Sequence, residues 1–214
     1  MLFMNDFRSP QNSADNEQQS FLIAGLGNPG RQYRANRHNI GFMLLDSLAG
    51  RLGVSLSRLE SKALVGKADY LGCRLILAKP QSYMNLSGQP VGSLARFYKI
   101  PAENLLIAYD EVDLPFGVLR LRPTGGSAGH KGMASIIERL GTQEFPRLRI
   151  GVGRPPGRKE AAAYVLQDFT RTEAEMLPLV LDRAVDAVLT FVSQGIITAM
   201  NQFNAPDDLP SQGL

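Results

Sequence analysis

His38 is one of two histidines in this 214-residue chain. It follows the turn Gly25-Leu26-Gly27-Asn28-Pro29-Gly30, which itself follows the apolar run Phe21-Leu22-Ile23-Ala24. Sites in open α/β sheets gather at the carboxyl ends of strands. A scarce imidazole beside such a Gly-rich strand end, flanked by arginines such as Arg37, points to acid–base chemistry on an anionic substrate. As the residue that opens the first helix, His38 would feel the positive end of the helix dipole, which disfavours the imidazolium and leaves a ring able to accept a proton. A second apolar run, Leu105-Leu106-Ile107-Ala108, ends at Tyr109-Asp110-Glu111. If the two strands are neighbours, Asp110 meets His38, holds its tautomer and stabilises its protonated form. The plainer reading of Asp110 is a helix cap or turn acid.

Two asparagines stand at comparable places. Asn28 presents a donor and an acceptor without charge, suited to gripping an amide or a carbonyl. Asn85, in Tyr83-Met84-Asn85-Leu86-Ser87-Gly88, either caps the following helix or offers its amide to a developing oxyanion. The loop Gly125-Gly126-Ser127-Ala128-Gly129-His130-Lys131-Gly132 precedes a helix, as phosphate-binding loops and mobile lids do. It lacks the Gly-Lys-Ser/Thr of a P-loop. Gly25 to Gly30 matches G-x-G-x-x-G, but Pro29 stands where a helix should open and no acidic residue closes the next strand, so a dinucleotide site is disfavoured. With the two histidines 92 residues apart and no cysteine pair, metal binding is poorly supported.

These residues need a scaffold, and the composition allows one. Hydrophobic residues at 44% and charged ones at 20% describe a soluble globular chain long enough for one sizeable domain. No apolar run is long enough to span a membrane. Cys73 is alone, so an intrachain disulfide is impossible; the residue is expected to be buried and inert, and the cytoplasm to be its compartment. The net charge of +3 conceals an asymmetry: residues 118–159 carry a net +7 and residues 160–214 a net −6. A basic block confined to one part of a fold is either a solvated face or a local footprint for phosphates.

The hydrophobic pattern predicts strands over residues 21–26, 63–70, 73–79, 105–108, 118–122 and 147–152. It predicts helices over 38–52, 87–98, 132–140, a short one over 160–165, and a long one over 172–193 opened by a capping box of Thr172 and Glu175. The fold class is α/β: a single domain with a twisted mixed β-sheet flanked by helices. The domain occupies residues 21–204, between a disordered N-terminal arm, 1–20, and a loose C-terminal tail, 205–214.

Taken together, the motifs resemble those of the bacterial-type peptidyl-tRNA hydrolases. The matching pieces are Gly25 to Gly30, Tyr33, Arg37-His38-Asn39-Ile40-Gly41, Lys79-Pro80 with Met84-Asn85-Leu86-Ser87-Gly88, Asp110-Glu111-Val112-Asp113-Leu114-Pro115 with Gly117, and Gly125 to His130, in the family's order and spacing. The resemblance implies an esterase that frees peptides from peptidyl-tRNA without metal or cofactor, as a monomer that meets the acceptor stem and 3′ end of its substrate and no membrane. It implies that His38 is the general base and Asp110 its partner. Asn28, Tyr33, Met84 and Asn85 would bind substrate, and Arg122 and Arg149 would grip the tRNA 5′-phosphate. Many members carry asparagine where this chain has Lys131, a residue that would pair instead with a phosphate near the 3′ end. Relatives of the same fold in plant organelles act as catalytically silent RNA-binding splicing factors, which is the alternative.

Overall fold

The computed structural model describes residues 18–155 and 160–205. Strand β1 (Ser20–Gly25) lies at the centre of a seven-stranded sheet with order β2-β3-β4-β1-β5-β7-β6. The others are β2 (Arg58–Glu60), β3 (Ala63–Tyr70), β4 (Cys73–Pro80), β5 (Leu105–Glu111), β6 (Leu119–Arg122) and β7 (Arg147–Gly151). β4, β1, β5 and β7 run parallel, while β2, β3 and β6 are antiparallel to their neighbours. This is the expected mixed α/β sheet.

The helices make two layers. α1 (Ile40–Arg51) and α5 (Arg171–Phe203) cover one face, α2 (Gly88–Phe97) and α3 (Lys131–Leu140) the other, and α4 (Ala161–Val165) is a single short turn beside the strand ends. β1 shows why its run is apolar without alternation: Phe21 and Ile23 enter the core under α1 and α5, and Leu22 and Ala24 enter the core under α2 and α3. Both its neighbours run parallel to it, so the chain leaves β1, β4 and β5 at one edge of the sheet. That edge carries the candidate residues.

Several expectations shift. The edge strand β2 pairs with β3, yet its sequence Arg58-Leu59-Glu60 is largely exposed and carries no apolar signal. α5 begins earlier than predicted, because the capping box is Thr170 with Glu173: Thr170 Oγ1 accepts from the Glu173 amide at 3.3 Å, and Glu173 Oε2 accepts from the Thr170 amide at 2.7 Å. Thr172 and Glu175 have the same spacing; what decides between them is that Glu173 also pairs with buried Arg37. α5 continues to Phe203 across a break at Gly195, whose φ of 84° is not helical. Cys73 is half-buried rather than buried. Ser20, assigned to the arm, already belongs to β1, while residues 1–17 and 206–214 lie outside the described residues.

The first glycines of the turn are packing residues. A Cβ on Gly25 would stand 2.1 Å from the Gly41 carbonyl oxygen and 2.4 Å from Leu45 Cδ2, and one on Gly27 would meet the Phe42 ring at 2.7 Å. α1 therefore presses directly on the end of β1, which leaves no cradle there for a dinucleotide pyrophosphate. Such overpacking costs about 1–3 kcal/mol. Gly25→Ala is expected to lower stability by about 2 kcal/mol or more, read as a fall in the urea midpoint at unchanged m-value.

Candidate functional site

β5 extends past its apolar run to Glu111, so Asp110 is a strand residue with 4% exposure and not a turn acid. Its Oδ1 receives both histidines of the chain: His38 Nδ1 at 2.8 Å and His130 Nε2 at 3.1 Å. The predicted His38–Asp110 pair is thus present, with a second imidazole added to it. Burial alone would raise the pKa of Asp110. The charge and hydrogen bond of His130, then those of His38, outweigh burial and hold the carboxyl well below the usual carboxylate range. Asp110 is therefore ionised and can only accept.

That fixes both tautomers. His38 donates from Nδ1, so in the neutral ring Nε2 holds a lone pair, and it has no partner among the described residues. His130 Nδ1 accepts from the Met133 amide at 3.2 Å as the N-cap of α3, so its proton is on Nε2, facing Asp110. His38 does not open α1 as expected. It sits in the 3-10 turn Arg37–Asn39 just before it, and its tautomer is set by Asp110. In the sequence His130 is the end of a Gly-rich loop with no expected role in the site. A lone histidine directly before a helix, at a capping position, was the available signal.

Asn28 is oriented on three sides. Its backbone amide donates to Asn39 Oδ1 at 2.9 Å and its carbonyl accepts from Asn39 Nδ2 at 2.9 Å. Its side-chain Oδ1 accepts from the Met84 amide at 2.9 Å. The side-chain oxygen faces a donor, so the Nδ2 amide is left for the cavity. Asn39 is a second residue that sequence reasoning did not single out. Asn85 lies in the 3-10 turn Met84–Leu86; α2 is capped at Ser87, without a side-chain bond, so Asn85 is not a helix cap.

Asn28, His38, Met84, Asn85, His130 and Lys131 all line one cavity of about 650 Å³, with Asp110 at its base. Its opposite wall is apolar and includes Ala161, Val165 and Leu166 from and after α4. Tyr33, half-buried in the 3-10 turn Arg31–Tyr33, is not among the lining residues. Arg37 does not line the cavity either. It is 2% exposed, stacks over Tyr164 at 4.3 Å, pairs with Glu173 and donates to the Gln167 and Asp168 carbonyls. It ties the α4–α5 segment to the turn that carries His38.

Arg122 and Arg149 face a second cavity of about 700 Å³, which shares Ala128 with the first. Arg122 is exposed, whereas Arg149 Nε donates to Glu111 Oε2 at 2.7 Å. Arg147, buried, lines the same cavity. Arg158 and Lys159 of the basic block lie outside the described residues.

The two histidines and Asp110 bring three ligand atoms within 4.8 Å, despite their separation in sequence. The donor set suits a metal poorly. A cation on His130 Nε2 would require the ring proton on Nδ1, where it would face the Met133 N–H, donor against donor.

The chain matches the family model described as peptidyl-tRNA hydrolase over residues 22–211. It is 52% identical over 185 residues to the peptidyl-tRNA hydrolase of Chloroflexus aggregans, covering 86% of this chain and 98% of that one. It is 49% identical over 176 residues to a chloroplastic peptidyl-tRNA hydrolase of Arabidopsis thaliana, covering 82% of this chain and 61% of that one. The crystal structure of peptidyl-tRNA hydrolase from Acinetobacter baumannii superposes with a TM-score of 0.81 at 37% identity, covering 88% of this chain and 96% of that one. The splicing-factor alternative finds no support in these matches. The chain belongs to the peptidyl-tRNA hydrolase family.

Proposed function

We propose that this protein hydrolyses the ester between an N-acylated aminoacyl group and the 3′-terminal ribose of tRNA, with His38 as general base. The observation that carries this reading is the His38 Nδ1–Asp110 Oδ1 hydrogen bond of 2.8 Å, which leaves Nε2 open to the cavity. Water gives a proton to Nε2 as its oxygen attacks the ester carbonyl. Asp110 balances the imidazolium. The carbonyl oxygen takes up the negative charge, for which the amide N–H groups of Asn85 and Asn28 are donors of the right kind. Collapse of the intermediate breaks the bond to the ribose oxygen, which takes the proton from Nε2 and leaves the ring neutral. An ester has a better leaving group than an amide, so the same groups spare the peptide bonds of the substrate.

Binding follows from the surroundings. The Asn28 amide and the turn at Met84 suit the amide of an N-acylated residue, and the apolar wall beside α4 suits peptide side chains. Lys131 begins α3, where the helix dipole disfavours a cation, and has no partner among the described residues. A phosphate near the tRNA 3′ end would supply one. Arg122 and Arg149, which line the neighbouring cavity, would take the 5′-phosphate on the acceptor stem. Tyr33 remains a candidate for contact with the substrate outside the cavity. The His130 tautomer supports a reaction without metal. A monomer working in the cytoplasm, where peptidyl-tRNA is made, fits a chain with one cysteine; no helix among the described residues is long and apolar enough to cross a membrane.

The direct test is release of N-acetyl-aminoacyl groups from tRNA, run beside unblocked aminoacyl-tRNA. Release from the first with little from the second is expected; failure on the first would sink the proposal. His38→Ala should lower kcat by roughly 10²–10⁴-fold with KM nearly unchanged, and Asp110→Asn should do so to a similar degree while the protein stays folded. Arg122→Ala should raise KM and flatten the dependence of log(kcat/KM) on log[salt] by about one unit of slope. An unchanged slope would exclude Arg122 from phosphate contact.

A further inference from the structure

Arg147, at the start of β7, is 1% exposed and has no carboxylate within ion-pair distance among the described residues. Its guanidinium instead donates to backbone carbonyls. It bonds those of Gly125 and Gly126 on one side, and those of Gln143 at 2.7 Å and Phe145 at 3.2 Å on the other. Burial draws its pKa down, and the neighbouring charge of Arg149 acts in the same direction, against Tyr109. Carbonyl dipoles satisfy its N–H groups but do not cancel its charge, and a buried uncompensated cation is costly.

Two of the carbonyls it holds, those of Gly125 and Gly126, belong to the loop of residues 125–130. The backbone of that loop is unusual: Gly125 and Gly129 have φ of 149° and 81°, and Ala128 is a non-glycine residue at 47°. Its far end is His130, hydrogen-bonded to Asp110. Ala128, midway, lines both cavities. The loop is thus fixed at one end by the phosphate-side arginine and at the other by the catalytic carboxylate.

We propose that Arg147 is a positioning residue that transmits phosphate occupancy of the second cavity to the catalytic cavity through this loop. A phosphate beside the guanidinium supplies the missing counter-charge and holds it in place, and with it the loop that keeps His130 against Asp110. Substrate tRNA would then be sensed as well as bound: the 5′-phosphate raises kcat in addition to lowering KM. The inference rests on the reading of that cavity as the 5′-phosphate site.

The test compares N-acetyl-aminoacyl acceptor-stem minihelices ending in 5′-phosphate or 5′-hydroxyl, on wild type and on Arg147→Lys. Lysine keeps the charge but cannot bridge carbonyls on both sides of the guanidinium site. In wild type the phosphate is expected to raise kcat by about fivefold or more, the lower range of typical coupling between sites, and to lower KM. In Arg147→Lys the kcat effect should vanish while the KM effect, carried by Arg122 and Arg149, persists. Retention of the kcat effect in Arg147→Lys overturns the proposal. A wild type that responds in KM alone also overturns it and leaves the phosphate site standing. A wild type that responds in neither overturns the phosphate site and this inference with it. Should Arg147→Lys fail to fold, titration of wild type with inorganic phosphate gives the same answer by NMR. The His130 ring resonances should shift together with the amides of residues 125–129; shifts confined to Arg122 and Arg149 would refute the coupling.

Discussion

The site is organised around one buried carboxylate oxygen. Asp110 Oδ1 accepts from both imidazoles, and the carboxylate's burial would be prohibitive without those two donors. This bond pair does three things at once. It aims the His38 lone pair into the cavity, it joins the loop before α3 to the end of β5, and it would give the imidazolium of the proposed reaction a counter-charge already in place. Because the second donor, His130, has its other nitrogen engaged by the Met133 amide, the arrangement admits one proton distribution in the neutral state. Preorganisation of this kind means that little must rearrange as charge develops.

Much of this was legible because strand ends announce themselves. The apolar runs before Asn28, Tyr83 and Asp110 give the three parallel strands β1, β4 and β5, and their shared edge gives the convergence. The His38–Asp110 contact follows from the adjacency of β1 and β5. Less legible were residues whose role depends on tertiary partners. Arg37, one of the arginines flanking His38, is a buried strut to Glu173. The same contact explains why α5 is capped at Thr170 and not at Thr172, since both positions have the same local sequence signal. Asn39 carries no local signal for its pairing with the Asn28 backbone. His130 lies 92 residues from His38, and separation in sequence says nothing about two loops brought to one sheet edge.

The arginines of the basic block divide by burial. Arg122 is exposed, Arg149 is ion-paired to Glu111, next to Asp110, and Arg147 is buried among carbonyls. Counting charges along the chain marks residues 118–159 as a basic block, but it cannot distinguish an exposed arginine from a buried strut. The division also shows how the two cavities are built as neighbours: β5 supplies Asp110 and Glu111 to one and Tyr109 to the other, and the loop of residues 125–130 forms part of the boundary between them.

The central claim is the proton distribution around Asp110, and it can be observed directly. Two-bond ¹⁵N–¹H correlation spectra of the imidazole rings in the free enzyme, at a pH where the rings are neutral, report each tautomer. The account predicts His38 protonated on Nδ1 with an unprotonated Nε2, and His130 protonated on Nε2. A His38 ring protonated on Nε2 would leave no base facing the substrate and would contradict it.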